Sequence, residues 1–136
     1  MEFTPDPRYQ EIAEAYALDA IDFAQLNFDI NLDWTDLSIQ RLEDILAIFS
    51  QQFAEANPTD SQVTQFSKMW GSYLGEVYRK NHGATWGTII ENGKSFPGMK
   101  ANSRTLFWPW GRVEKRLREG ASENVAHYYE SLCGDS

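Results

Sequence analysis

The apolar residues of the first half of the chain recur at helical spacing in two long segments. The first begins at Asp6-Pro7 and has one apolar stripe, formed by Tyr9, Ile12, Ala13, Tyr16, Ala20, Phe23 and Ala24. The second begins at Thr35, ends near Asn57-Pro58, and carries apolar residues at Ile39, Leu42, Ile45, Leu46, Phe49 and Phe53. Intervals of three and four residues are typical of amphipathic helices. The pattern predicts two helices, with Asp6 and Thr35 as their N-caps.

A third segment of helical spacing follows and has the widest apolar face of the chain. On a wheel of about 100° per residue, Trp70 lies at the centre of a face that includes Val63, Phe66, Tyr73, Leu74 and Val77. Gly71 and Gly75, four residues apart, leave room for another element to cross closely. The residues Thr59 to Gln62 match a capping box, and Gly83 is a typical helix stop. We expect this helix at the centre of the core, with Trp70 buried.

Beyond Gly83 the helical period ends. Residues 84 to 90 are rich in β-branched side chains, which favours a strand. Asn92-Gly93 is typical of a type I′ hairpin turn, because both central positions of that turn need a positive φ. The returning strand is predicted over Lys94–Phe96, with Pro97-Gly98 as its end.

The remaining pattern predicts a third short strand over Arg104–Trp108, a helix from Pro109 to about Glu119, and a last helix capped by Ser122. Together the elements predict an α+β fold, in which an N-terminal three-helix bundle packs on a small antiparallel β-hairpin sheet with two C-terminal helices. A length of 136 residues with 42% apolar residues suits a single globular domain over residues 1–136.

Charge is distributed unevenly along the chain. Residues 1–60 contain thirteen Asp and Glu against two Arg, a balance of −11, whereas residues 61–136 contain seven acids against ten bases, a balance of +3. An acidic first half disfavours nucleic acid and anionic membranes, which need positive potential, and favours a basic protein partner. Within the first predicted helix, Glu11, Glu14 and Asp22 lie outside the apolar stripe and are the candidate docking residues.

The segment from Arg104 to Arg118 combines aromatic residues with basic ones. Trp108 and Trp110 stand close to Arg112 and Arg116. Such a segment either completes the core as a lid, with the basic stems lying over it, or presents anchors to a protein partner. Both alternatives remain open from the sequence, while a nucleic-acid platform is the less favoured alternative.

A second candidate site, and the alternative to a protein-binding module, is a small-molecule or peptide pocket, or the active site of an enzyme, around Glu76, Trp86 and the turn from Trp108 to Arg112. Glu76 and Ser72 fall on the flank and back of the central helix, where we expect solvent. Glu76 precedes Lys80 by one turn, in the order that favours an ion pair between them.

No catalytic or metal-binding motif is present in the sequence. His82 and His127 are the two histidines, without the spacing of a metal motif, and Glu76 and His82 point about 120° apart on the wheel. The single cysteine, Cys133, precludes an internal disulfide and is expected to be a packing residue. We therefore predict no catalytic residue, no metal and no cofactor, and a protein that is more a binding module than an enzyme.

Three runs of the sequence, INLDWTDLSIQRLEDIL, GSYLGEVYRKNHGATW and WGRVEKRLREG, form a recognisable order over about residues 28–120. This order resembles that of small uncharacterised bacterial domains, and the resemblance implies no known activity. The N-terminus lacks the apolar run of a signal peptide, and no apolar run approaches the roughly 18 residues of a membrane span. The sequence thus favours a cytoplasmic protein-binding module of an immunity-like or adaptor kind.

Overall fold

The computed structural model describes residues 1–134 and confirms the α+β class. Its elements, in chain order, are β1 (Glu2–Pro5), α1 (Pro7–Phe28), α2 (Ser38–Glu55), α3 (Asp60–His82), β2 (Ala84–Glu91), β3 (Lys94–Ala101), β4 (Leu106–Phe107), α4 (Pro109–Glu119), a 3-10 turn (Ala121–Glu123) and α5 (Val125–Gly134). The strands form one antiparallel sheet in the order β1-β2-β3-β4.

The middle of the central helix α3 is buried on all of its sides. Trp70 is 0% exposed, as its place in the apolar face predicts, and residues 71–78 are buried without interruption. Ser72 and Glu76, expected in solvent, are also 0% exposed. The wheel describes one helix in isolation, whereas α1, α4 and the sheet all pack on α3. The prediction that Ser72 and Glu76 face solvent is therefore wrong.

Two glycines of α3 mark close crossings, as predicted. A Cβ at Gly71 would lie 2.7 Å from the carbonyl oxygen of Pro109 and 2.8 Å from Cα of Trp110, at the start of α4. A Cβ at Gly75 would lie 2.5 Å from the Trp86 ring on β2. Real Cβ atoms do not approach neighbours this closely, so both positions need glycine because of packing.

Substitution of Gly71 by alanine is expected to lower the free energy of unfolding by about 1–3 kcal/mol, because the clash is with the α4 backbone, which cannot rotate away. The matched control is Gly111→Ala in α4, where a Cβ would meet its nearest neighbour at 3.5 Å. There alanine should stabilise by up to about 1 kcal/mol through its better helix propensity. Urea melts of both variants measure the difference, and a stabilised Gly71→Ala would contradict the close crossing.

The sheet is larger than the sequence pattern indicates. β1 was not predicted, since it is a four-residue edge strand that pairs only with β2. β3 continues through Pro97-Gly98 to Ala101, so the predicted end at Pro97 is wrong. β4 pairs with β3 only at Met99 and Lys100, and the side of β3 away from β2 therefore has no strand at Pro97. A proline is tolerated there because no strand on that side needs a hydrogen bond from a backbone N–H, which proline lacks.

The helix ends follow local chemistry with two corrections. Thr59 and Gln62 form the predicted capping box, and Gly83 ends α3 with a φ of +86°. α2 begins at Ser38, three residues after the predicted cap, although Thr35 Oγ1 still accepts from the Ser38 N–H at 3.2 Å. α5 is capped by Asn124 rather than Ser122, because the Asn124 side chain accepts from two backbone N–H groups.

Candidate functional site

The outer side of α1 carries exposed carboxylates around an exposed leucine. Leu18 is 57% exposed, and Glu11, Glu14 and Asp22 lie within about 40° of it on the helical wheel. These four residues are called the acidic face. The opposite side of α1 is buried and consists of alanines, Ala13, Ala17, Ala20 and Ala24, each 0% exposed. Ile12, predicted in the buried stripe, is 40% exposed.

The charges of the acidic face are largely uncompensated within residues 1–134. Glu11 and Asp22 form no ion pair with any described side chain. Glu14 accepts a hydrogen bond from Gln10 at 2.8 Å and lies 3.9 Å from the guanidinium of Arg79. Other acids of the first half differ, since Asp33 pairs with Arg41 at 2.7 Å. Negative potential thus remains concentrated on α1.

The basic helix α4 places Arg116 inside the protein. The Arg116 guanidinium is bound by the Glu43 carboxylate at 2.9 and 3.1 Å and lies 3.4 Å from the Ser50 hydroxyl. Arg116 is 2% exposed and Glu43 is 5% exposed. The backbone N–H of Val125 also donates to Glu43, at 2.9 Å. The Arg116–Glu43 pair therefore joins α4, α2 and α5, and Arg116 is not available to a ligand.

The predicted pair of Glu76 and Trp86 does come together, within the core. Trp86 Nε1 donates to Glu76 at 2.9 Å, and Arg79 donates to both carboxylate oxygens at 2.7 and 2.9 Å. The bond with Glu76 raises the pKa of Arg79. The expected ion pair with Lys80 is absent, because Lys80 lies over the Trp34 ring at 4.9 Å. Glu76 is occupied by structural contacts on both oxygens.

The two tryptophans of the predicted turn have different environments. Trp110 is 8% exposed, and its Nε1 donates to the Ser72 hydroxyl at 2.8 Å. Trp108 is half-buried and lines a cavity of about 220 Å³ together with Gly111, Arg112, Lys115 and Tyr128. Arg112 is held there by Glu123 at 2.6 Å and lies 4.3 Å above the Tyr128 ring. Burial raises the pKa of Tyr128. The predicted pocket is thus divided between the core and this cavity.

A cluster that the sequence did not predict lies at the C-terminal end of α3. His82 Nε2 is 2.9 and 3.1 Å from the two carboxylate oxygens of Asp36 and 3.4 Å from Sγ of Cys133. Tyr129 donates its hydroxyl hydrogen to Asp36 at 2.5 Å. We call these four residues the His82 cluster. His82 is separated from Asp36 by 46 residues and from Cys133 by 51 residues, so no spacing motif could have indicated it.

The loop before α2 is fastened to α3, and this places Asp36 beside His82. The Trp34 N–H donates to the Tyr73 hydroxyl at 3.0 Å, and the Asn81 side chain donates to the Trp34 carbonyl at 2.8 Å. Trp34 has a φ of +69°, a conformation that bulky residues rarely adopt. These bonds hold the backbone in that conformation, and the next turn presents Asp36 over the end of α3.

The His82 cluster is not a nucleophilic triad. Such a triad uses one ring nitrogen toward the carboxylate and the other toward the nucleophile. Here the same atom, Nε2, faces both Asp36 and Cys133. Burial, together with the negative charge of Asp36, raises the pKa of the Cys133 thiol. A thiol of raised pKa stays protonated near neutral pH and is a poor nucleophile.

None of the helices in residues 1–134 combines the length and hydropathy that a membrane-spanning segment needs. A crystal structure of a protein from Bacteroides thetaiotaomicron is similar over 99% of this chain, with a TM-score of 0.68 and 12% sequence identity. At this identity the likeness shows a shared fold alone. The match covers 48% of that protein, so this chain spans about half its length.

No curated protein matches this sequence. The sequence profile of a family described as a domain of unknown function, DUF3806, matches residues 42–129. The matched range includes His82 and Tyr129 but excludes Asp36, Cys133 and the whole of α1. It agrees with the resemblance to uncharacterised domains, and it covers well over half of the chain. The chain therefore belongs to the DUF3806 family.

Proposed function

We propose that this protein is a cytoplasmic protein-binding module that docks a basic partner on the acidic face of α1. The observation that carries the proposal is Leu18, an exposed apolar side chain in the middle of three exposed carboxylates. A single exposed leucine is ordinary on a protein surface. An apolar centre with a charged rim is the usual anatomy of a protein interface, in which the rim steers the partner and the centre is desolvated.

The fold gives no structural role to this side of α1. The helix is fixed to the core by its four alanines, on the opposite side. Further along the same helix, a second leucine, Leu26, is 84% exposed. Uncompensated charges on one helix also repel one another, which opposes folding rather than favouring it. Binding of a basic surface would relieve that repulsion.

The partner class distinguishes an immunity-like role from an adaptor role. In an immunity-like role the basic partner is a toxin whose activity is blocked on docking, whereas an adaptor leaves the activity of its partner intact. Both roles use the same surface. An activity assay of the partner, with and without this protein, therefore separates them.

Photo-crosslinking from position 18 tests the docking surface. A photoreactive amino acid in place of Leu18 is expected to capture a basic protein from cells of the source organism, and the purified partner should then bind the wild type in a defined complex. The matched control places the same amino acid at Leu37, which is 79% exposed and lies outside α1. Leu18→Ala should speed dissociation of the purified complex, because a desolvated apolar contact acts mainly on the dissociation rate. Capture at Leu37 alone, or an unchanged dissociation rate, would contradict docking through α1.

A further inference from the structure

The His82 cluster brings three different ligand atoms to one point. A carboxylate oxygen of Asp36, Nε2 of His82 and Sγ of Cys133 all lie within 4.8 Å of one another. They come from the turn before α2, the last residue of α3, and α5. Each is a side chain that binds metal ions in proteins, and together they form a mixed oxygen, nitrogen and sulfur set.

A single hydrogen bond of Nε2 accounts for only one of its two contacts in this cluster. Nε2 of an imidazole carries either one hydrogen or one lone pair. It nevertheless faces the Asp36 carboxylate at 2.9 Å and the Cys133 sulfur at 3.4 Å. One hydrogen cannot be directed at both neighbours with good geometry. A cation placed between the three atoms would instead receive a lone pair from each of them, with the Cys133 thiol proton released to solvent and the imidazole hydrogen carried on Nδ1.

We propose that Asp36, His82 and Cys133 bind a divalent transition-metal ion of the Zn²⁺ type. With Zn–N near 2.0 Å and Zn–S near 2.3 Å, the ligand atoms of a tetrahedral site lie roughly 3.3–3.7 Å apart. The distance from Nε2 to Sγ is 3.4 Å and that from Nε2 to the Asp36 oxygen is 2.9 Å. The Asp36 oxygen must move away from Nε2 by about 0.4 Å or more to reach the spacing of a tetrahedral site. Imidazole and thiolate ligands favour Zn²⁺ over Mg²⁺ and Ca²⁺, which prefer oxygen.

The surrounding residues hold the ligands in place. The Tyr129 hydroxyl donates to Asp36 and fixes the orientation of the carboxylate, as outer hydrogen bonds commonly do for metal ligands. The His82 ring packs on Tyr78, with ring centroids 5.0 Å apart. Cys133 has a further hydrogen-bonding contact with Tyr129. The site is thus supported from α3 and α5 before any metal arrives.

Three protein ligands leave a fourth tetrahedral position open. A cavity of about 290 Å³ lies beside the cluster. It is lined by three residues of the cluster, three apolar side chains and two polar ones, namely Asp36, Tyr129, Cys133, Leu37, Ile39, Ala126, Gln40 and Glu130. Water can occupy the open position from this side, where the Glu130 carboxylate opposes the approach of an anion. Structural zinc sites are closed by four protein ligands, whereas an open position is typical of sites that act on an exogenous ligand. The site is separate from the acidic face, which lies on α1, because its residues lie on the turn before α2, on α3 and on α5.

The test is titration of the metal-free full chain with Co²⁺, which reports its ligands by absorption, and with Zn²⁺ by calorimetry. One metal ion per chain is expected, with a near-ultraviolet charge-transfer band from the Cys133 thiolate. Cys133→Ser should abolish that band, and Asp36→Asn and His82→Gln should raise the Kd about tenfold or more. The matched control is His127→Gln, which removes the other histidine, exposed on α5, and should bind as the wild type does.

Zn²⁺ should also raise the Tm of the wild type and protect Cys133 from a thiol reagent. Both effects are measured on the wild type, so they test the proposal even where a variant fails to fold. The proposal is overturned if the wild type shows no thiolate band, if Cys133→Ser keeps it, or if His127→Gln removes binding. The proposal is also overturned if Cys133 reacts with the thiol reagent at the same rate with and without saturating Zn²⁺. The cluster would then be a network of hydrogen bonds that binds no metal.

Discussion

Replacement of Glu43 by glutamine is expected to lower the free energy of unfolding by about 3–5 kcal/mol, because it leaves the Arg116 guanidinium buried without a counter-charge. Arg116 is 2% exposed, and among the described residues Glu43 alone forms an ion pair with it. Ser50, at 3.4 Å, offers only a neutral oxygen. A urea melt followed by circular dichroism measures the change.

The double variant Glu43→Gln with Arg116→Met is the informative control. It removes the buried charge while the glutamine oxygen can still accept from the Val125 N–H, which now donates to Glu43. We expect the double variant to be more stable than Glu43→Gln alone, since no unpaired charge remains buried. Glu114→Gln breaks the exposed pair with Arg118 and should cost less than about 1 kcal/mol. A loss below about 1 kcal/mol for Glu43→Gln would show that the guanidinium reaches water.

Trp70→Ala is expected to cost about 3–5 kcal/mol, because it opens a cavity at the centre of the core. The ring of Trp70 is 0% exposed and meets Phe23 at 5.6 Å and Phe49 at 5.7 Å between centroids. Its Nε1 has no hydrogen-bond partner among the described residues. Truncation therefore forfeits packing and no hydrogen bond, and it also removes a buried N–H without a partner, which offsets part of the loss.

Trp70→Phe separates the two contributions, since phenylalanine keeps most of the apolar volume and removes the buried N–H. It should cost clearly less than alanine. Phe96→Ala, at a position that is 40% exposed, serves as the surface control and should change stability by less than about 1 kcal/mol. If Trp70→Ala cost no more than this control, α3 would not be the centre of the core.

The local parts of the fold were predictable because local chemistry sets them. The Thr59 capping box, the stop at Gly83 and the Asn92-Gly93 turn each depend on residues next to one another, and all three were predicted. Strand β1, which was not predicted, and the continuation of β3 through Pro97 depend instead on pairing with distant strands. No periodicity within four or eight residues can reveal such partners.

The candidate functional residues likewise fall into those that local sequence could reveal and those that depend on distant partners. The charge excess of α1 could be counted in the sequence. Leu18 lies on the polar side of this helix, four residues from both Glu14 and Asp22. A helical wheel centred on the acidic residues would therefore have revealed it. The burial of Arg116 could not be foreseen, because its partner Glu43 is 73 residues away. The His82 cluster likewise joins three distant segments, and only the folded chain brings Cys133 to the end of α3.

Docking of a basic partner on the acidic face is the central claim, and it predicts an association rate that depends on these charges. Two triple variants, each raising the net charge by three, make the comparison. The face variant carries Glu11→Gln, Glu14→Gln and Asp22→Asn. The control variant carries Glu55→Gln, Glu91→Gln and Glu119→Gln, which alter exposed acids outside α1.

The decisive measurement is the association rate with the captured partner at low and high salt. The wild type and the control variant should associate fast at low salt and more slowly at high salt. The face variant should associate about tenfold or more slowly at low salt and respond weakly to salt, since steering depends on the local field. Equal rates for the face and control variants, or a wild-type rate that does not change with salt, would contradict docking on α1 and direct attention to the surface around Trp108.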